Sequence, residues 1–127
     1  MEEKLYIHEL GTDELINLFN ESNSLKNKKD FIKYGKKLKK ILESYEAEKE
    51  DRGLDIKLQT LLLSIANYVV RTKEITNMGY YNMLSNLDSL NKFHYFMYKL
   101  KNKEDVEKVK KRLKENIDFM IREIKLS

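Results

Sequence analysis

Lys29, Lys33, Lys36 and Lys40 recur at helical spacing. At about 100° per residue they form one narrow stripe. The stretch around them, Leu25 to Ile41, holds eight lysines and one acid. Lysine presents a hydrated point charge, whereas arginine presents the fork that grips phosphate or guanine with two bonds. The chemistry on offer is contact with a nucleic-acid backbone, with little reading of bases. Phe31, Tyr34, Leu38, Ile41, Leu42 and Tyr45 fall on the opposite side of the same helix. The lysines are thus the cationic back of an amphipathic segment.

A second candidate site is the run Phe93-His94-Tyr95-Phe96-Met97-Tyr98. Tyr95 and Phe96 point away from the expected core side, and Lys92, Lys99 and Lys101 surround them. Aromatic rings between cations suit stacking on bases. They equally suit a protein interface, where Tyr and Phe act as anchors. The competing reading is burial under a second layer of helices, the usual fate of a helix that is apolar all round.

Other reactive patterns are sparse. The two histidines, His8 and His94, have no metal-ligand spacing to one another or to a pair of carboxylates. His94 lies among core residues and is expected to be packed. Helical ribonucleases of the HEPN type need an arginine followed by a histidine four to six residues on, and no arginine here has one. Ser89-Leu90-Asn91-Lys92 matches Ser-x-x-Lys, but its companion motifs are missing and the tetrad arises easily by chance. Glu46 and Glu50, or Glu48 and Asp51, could approach one another on a helix; without a histidine or a second carboxylate helix they are solvated charges. There is no glycine-rich phosphate loop. A helix-turn-helix signature is absent too, because the helices are too long and lack a short glycine-bearing turn. No enzyme, metal or cofactor is expected.

The elements that must position these residues follow from composition. The 127 residues suggest one domain, long enough to bury roughly two-thirds of the unfolded surface. Cysteine is absent, which excludes disulfides and thiolate metal sites and fits a reducing compartment. Proline is absent and there are four glycines, so long helices are favoured over a turn-rich sheet. The charged fraction is 36% and the net charge is +4, from 21 lysines, four arginines and 21 acids. A pI near 9.1 permits an acidic partner without requiring one. Abundant Lys, Asn, Ile and Tyr is also what an AT-rich genome yields. The N-terminus Met1-Glu2-Glu3-Lys4 does not read as a signal peptide. The most apolar run, Leu61 to Val70, is ten residues, whereas a membrane span needs about 20. A cytoplasmic protein is expected.

Along the chain, residues 1–11 read as a lead-in ending at Gly11. Thr12 is the expected N-cap of a first helix, with Asp13 and Glu14 in its first turn and Leu15, Leu18 and Phe19 on its apolar face. Asn20 to Asn27 reads as a polar loop. A second helix is expected from about Lys28 to about Glu50, capped by Asn27 and closed at Gly53. A third begins near Asp55. Its residues Leu58, Leu61, Leu62, Ile65, Ala66, Val69 and Val70, broadened by Leu63, leave only a polar stripe of Thr60, Ser64, Asn67 and Arg71. So wide an arc predicts a central helix packed on several sides. After Asn77-Met78-Gly79 a fourth helix starts near Tyr80, with Met83, Leu84, Leu87 and Leu90 on one side and a bend or break expected around Asp88 to Lys92. Asn102 caps the last helix, whose stripe is Val106, Val109, Leu113, Ile117, Met120 and Ile124. The expectation is an all-α single-domain bundle of about five mostly antiparallel helices without a sheet.

The last helix is also lysine-rich, but its charges come as spaced opposite pairs: Glu104 with Lys108, Glu107 with Lys111, Lys111 with Glu115, Asp118 with Arg122. Such pairs stabilise a solvated face. The second helix does the reverse. Lys29 faces Lys33 and Lys36 faces Lys40, and the cations crowd its N-terminal half, against the helix dipole. The summed cost is about 1 kcal/mol. An anionic partner explains that pattern; so would the first 21 residues, with six acids and one lysine, laid across the ridge. The leading expectation is a non-enzymatic inhibitor or regulator docking Lys29, Lys33, Lys36 and Lys40 on nucleic acid or a nucleoprotein. The class analogy is with small lysine-rich helical anti-defence proteins of phages and AT-rich bacteria, the anti-CRISPR type. The alternative is a protein-binding bundle, such as an immunity protein or antitoxin-like adaptor, using the aromatic run.

Overall fold

The computed structural model describes residues 6–7, 9–45, 52–95 and 103–127, with side chains at all of these except 52–55, 93–95, 103, 105 and 106. Five helices account for most of them: α1 (Thr12–Asn23), α2 (Lys28–Glu43), α3 (Arg52–Ile75), α4 (Tyr80–Tyr95) and α5 (Lys103–Leu126). No strand occurs among the described residues, and the all-α bundle is the observed fold. α3 is the hub, packed on α1 and α4 and touching α2 and α5, while α5 lies along α2 and α4. One apolar cluster draws residues from every helix, including Leu15, Leu38, Leu61, Leu90 and Ile117.

Helix boundaries depart from the sequence reading where side chains act as caps. Gly11, one residue before Thr12, is the N-cap of α1, and its N–H donates to the Glu14 carboxylate at 3.2 Å. α1 continues through Asn23, so the connection is Ser24 to Asn27 rather than the longer loop expected. Its last turn is held by Asn67 and Arg71 of α3, which reach Ser22, Asn23 and Leu25. Asn27 caps α2 as expected, accepting from the Asp30 N–H at 2.9 Å.

α2 ends at Glu43, not near Glu50. The cause lies on α5: the Lys110 ammonium donates to the carbonyls of Glu43 and Tyr45, at 2.8 and 2.9 Å. A cation at a helix C-terminus meets both the unpaired carbonyls and the dipole. Gly53, expected to close α2, lies instead within the first turn of α3. The pairs Glu46/Glu50 and Glu48/Asp51 fall outside the described residues.

The polar stripe of α3 is not its solvent face. Ser64 is fully buried, and Asn67 and Arg71 bind the end of α1, with the Arg71 guanidinium 5.3 Å from the Phe31 ring centre. Leu58, Leu61, Leu62, Ile65 and Val69 are buried as expected, and Tyr68, unassigned in the sequence reading, joins them. Ala66 is only partly buried, and Leu63 and Val70 are exposed. α4 runs unbroken through Asp88–Lys92, where an ion pair of 3.1 Å between those two residues braces the turn. Leu90 of α4 is buried, but Leu84 faces solvent. On α5 the stripe Val109, Leu113, Ile117, Met120 and Ile124 is buried. The side chain of Val106, and Asn102, lie outside the described residues.

Candidate nucleic-acid interface

α2 positions the ridge by burying its other side. Phe31, Tyr34, Leu38, Ile41 and Leu42 are buried, which turns Lys29, Lys33, Lys36 and Lys40 to solvent, all four exposed. From Lys29 to Lys40 the stripe spans 12 residues, about 16 Å along the axis. α2 holds seven lysines and two acids, a net +5 against +4 for the entire chain, so everything outside this helix sums to −1. The basicity of the protein is a property of one helix.

Lys37 and Lys39, which flank the ridge, have carboxylate partners, and among the described residues the ridge lysines have none. On one edge Lys37 meets Glu21 of α1 at 3.3 Å; on the other Lys39 meets Asp118 of α5 at 2.7 Å. Below them Lys114 of α5 pairs with Glu43 at 2.7 Å and holds that carboxyl below its ordinary range, chiefly through this hydrogen bond. Among the described residues, no carboxylate pairs with Lys29, Lys33, Lys36 or Lys40. Of the described acids among the first 21 residues, Glu14 caps α1 and Glu21 is taken by Lys37, and none forms an ion pair with a ridge lysine. Glu2 and Glu3 lie outside the described residues.

Beside the ridge, where the end of α1 meets α2, is an open cavity of about 540 Å³. Lys33, Lys36, Lys37 and Lys40 line one wall; Ser24, Leu25 and Glu21 line the other. Its floor is Tyr34, whose hydroxyl donates to the Leu18 carbonyl at 2.7 Å and whose burial raises the phenol well above its usual range. Tyr68 behaves alike, buried and donating to the Phe31 carbonyl at 2.9 Å. These two tyrosines lock α2 to α1 and α3, so the ridge stands on a fixed helix.

The second candidate group is not gathered with the first. Lys92 is exposed and paired with Asp88 on α4, a helix packed on α3 and α5 rather than extensively on α2. Tyr95 closes α4, but its side chain, like those of Phe93 and His94, is not described; Phe96, Lys99 and Lys101 lie outside the described residues, as does His8. Ser89 and Lys92 form no dyad: the serine hydroxyl donates to the Ser85 carbonyl at 3.2 Å. No grouping of three His, Asp or Glu suited to a metal occurs among the described residues. None of the described helices is long and apolar enough to cross a membrane.

The charges of α5 also differ from expectation. Its ion pairs among the described residues are Lys110 with Glu107, Lys114 with Glu43, and Asp118 with Lys39, so two of the three tie it to α2. The four expected pairs along its own face are not among them. Lys110, nine-tenths buried, escaped the sequence reading because its spacing resembles that of its solvated neighbours. Comparison with protein-family models, with curated proteins and with solved structures finds no match to this chain.

Proposed function

We propose that this chain is a small non-enzymatic binding protein, an inhibitor or regulator that docks the α2 ridge on nucleic acid or a nucleoprotein. One observation carries the reading: among the described residues no carboxylate pairs with four exposed lysines on one stripe, while Lys37 and Lys39 beside them are paired. Unpaired like charges on one helix face cost stability; that cost is relieved when phosphates neutralise the lysines, and binding gains as the lysines displace cations condensed on the nucleic acid. With lysine as the contact, recognition is of backbone rather than bases. By class analogy the role is of the anti-defence type.

The test compares two charge reversals on random-sequence DNA and RNA, read by fluorescence anisotropy. Lys29, Lys33, Lys36 and Lys40 to Glu should reduce binding to background. Lys108 and Lys111 to Glu on α5, both exposed, should leave it within a few-fold; Lys114 is left native because it holds Glu43. Equal binding by the ridge variant and the native chain would retire the proposal. A protein partner lost on Tyr95→Ala and Phe96→Ala would then favour the adaptor alternative.

A further inference from the structure

α3 carries a second apolar stripe that its packing leaves uncovered. Ile56, Leu63 and Val70 recur every seven residues and are 60%, 61% and 40% exposed. Gln59 and Ala66 follow the first two by three positions, giving the spacing of a helix–helix seam. Alongside runs a groove of about 510 Å³ between α3 and α4, lined by Leu62, Leu63, Ala66, Leu87 and Leu90. Leu84 of α4, 58% exposed, lies one turn before Leu87. Exposed apolar surface of this extent marks an interaction site.

The charge pattern says what fits it. Leu58–Val70 and Ile75–Leu87 are two 13-residue stretches without a single charged residue, in a chain that is 36% charged. Across Leu58–Val70 a polyanion finds no cation and a strongly charged protein finds no counter-charge; Lys57, Lys73, Glu74, Asp88 and Lys92 lie just outside the two stretches. A second copy of this chain, repelled at α2 by its own lysines, meets no like charge along that central stretch. The stripe is also symmetric: Ile56 and Val70 each lie seven residues from Leu63. A two-fold axis at Leu63 therefore brings a large apolar residue to a large apolar residue along the whole stripe. Projecting side chain and adjacent groove occupy the same face, as a self-complementary contact requires.

We propose that the protein self-associates through this face, α3 crossing α3 of a second copy antiparallel at Leu63, with Ile56 toward Val70 of the other chain and the α4 helices flanking. The inference does not rest on the ridge reading. α2 takes no part in the contact, so a dimer displays two ridges, and a polyanion long enough to reach both is bound bivalently.

Light scattering after gel filtration tests the mass, and engineered thiols test the geometry, since the chain has no cysteine. At high micromolar concentration the native chain should scatter at twice its 15.3 kDa. Leu63→Asp should return it to the single-chain mass with unchanged helical circular dichroism, because Leu63 faces solvent in the single chain. Leu63→Cys should oxidise to a covalent dimer at low micromolar concentration, while Lys111→Cys on α5 should not. A native chain that is monomeric throughout, a Leu63→Asp variant that stays dimeric, or equal cross-linking at position 111 would each overturn the proposal. So would a Leu63→Asp variant that melts below the native chain at a dilution where both are monomeric, since the stripe would then be covered by the chain itself.

Discussion

Gly35 stands in the middle of α2, where a glycine weakens a helix by about 1 kcal/mol relative to alanine. Its neighbour explains it. A Cβ placed there would lie 2.5 Å from the Tyr68 hydroxyl oxygen and 3.2 Å from Cδ1 of Ile121. Tyr68 occupies that space with its hydroxyl donating to the Phe31 carbonyl, and the ring is fully buried, so making room disturbs that hydrogen bond or its packing. Gly35→Ala should therefore destabilise the fold by about 1–3 kcal/mol in urea unfolding, despite its better helix propensity. The two buried phenols make a second prediction at this scale. Burial raises both Tyr34 and Tyr68 above the unfolded value near 10. Their contribution is intact below that value. Above it the unfolded chain ionises while the native state keeps its protons, so stability falls as pH rises, by about 1.4 kcal/mol per unit for each tyrosine. Urea unfolding between pH 9 and 11 should show this loss, and Tyr34→Phe should shallow it by about half.

At the scale of elements, the apolar stripes of α2, α3 and α5 were legible because period and hydrophobicity agree, and the cap at Asn27 was legible because a side chain signals it locally. What escaped depends on a distant helix. The end of α2 is set by Lys110, some 65 residues away in sequence, and nothing near Glu43 announces it. The task of the polar stripe of α3 was not legible either: Asn67 and Arg71 hold the end of α1, and the buried Ser64 donates back to the Thr60 carbonyl. Conversely Leu63 and Val70 looked like core, since periodicity cannot say which apolar face lacks a neighbour. The ridge was legible as a pattern, but which lysines beside it are neutralised was not, because the partners of Lys37 and Lys39 come from α1 and α5. The same pattern makes a prediction for α2. Reversing Lys29, Lys33, Lys36 and Lys40 to Glu removes the repulsion along the stripe and places acids near the positive end of the helix. Thermal unfolding should show a melting temperature equal to or above the native one, at low salt most clearly. A marked fall would mean that these lysines hold the fold together.

For the whole molecule, the two surfaces divide the work between unlike forces. The ridge gathers the net positive charge onto α2, and the α3–α4 face carries no charge along Leu58–Val70 and Ile75–Leu87. The first suits an anionic partner, the second another copy of the chain, and the tyrosine-locked core between them fixes the one relative to the other. The central claim is that the ridge meets phosphate as four point charges. The most direct measurement is the salt dependence of the association constant with a single-stranded oligonucleotide too short to bridge two ridges. Four displaced counterions give a slope of log K against log salt of about −2.8, and about −3.6 for a short duplex. The native chain should show a slope in that range, and the four-glutamate variant should bind too weakly to give one. Affinity that stays flat across salt, or a steep slope retained when the ridge is reversed, would contradict the account.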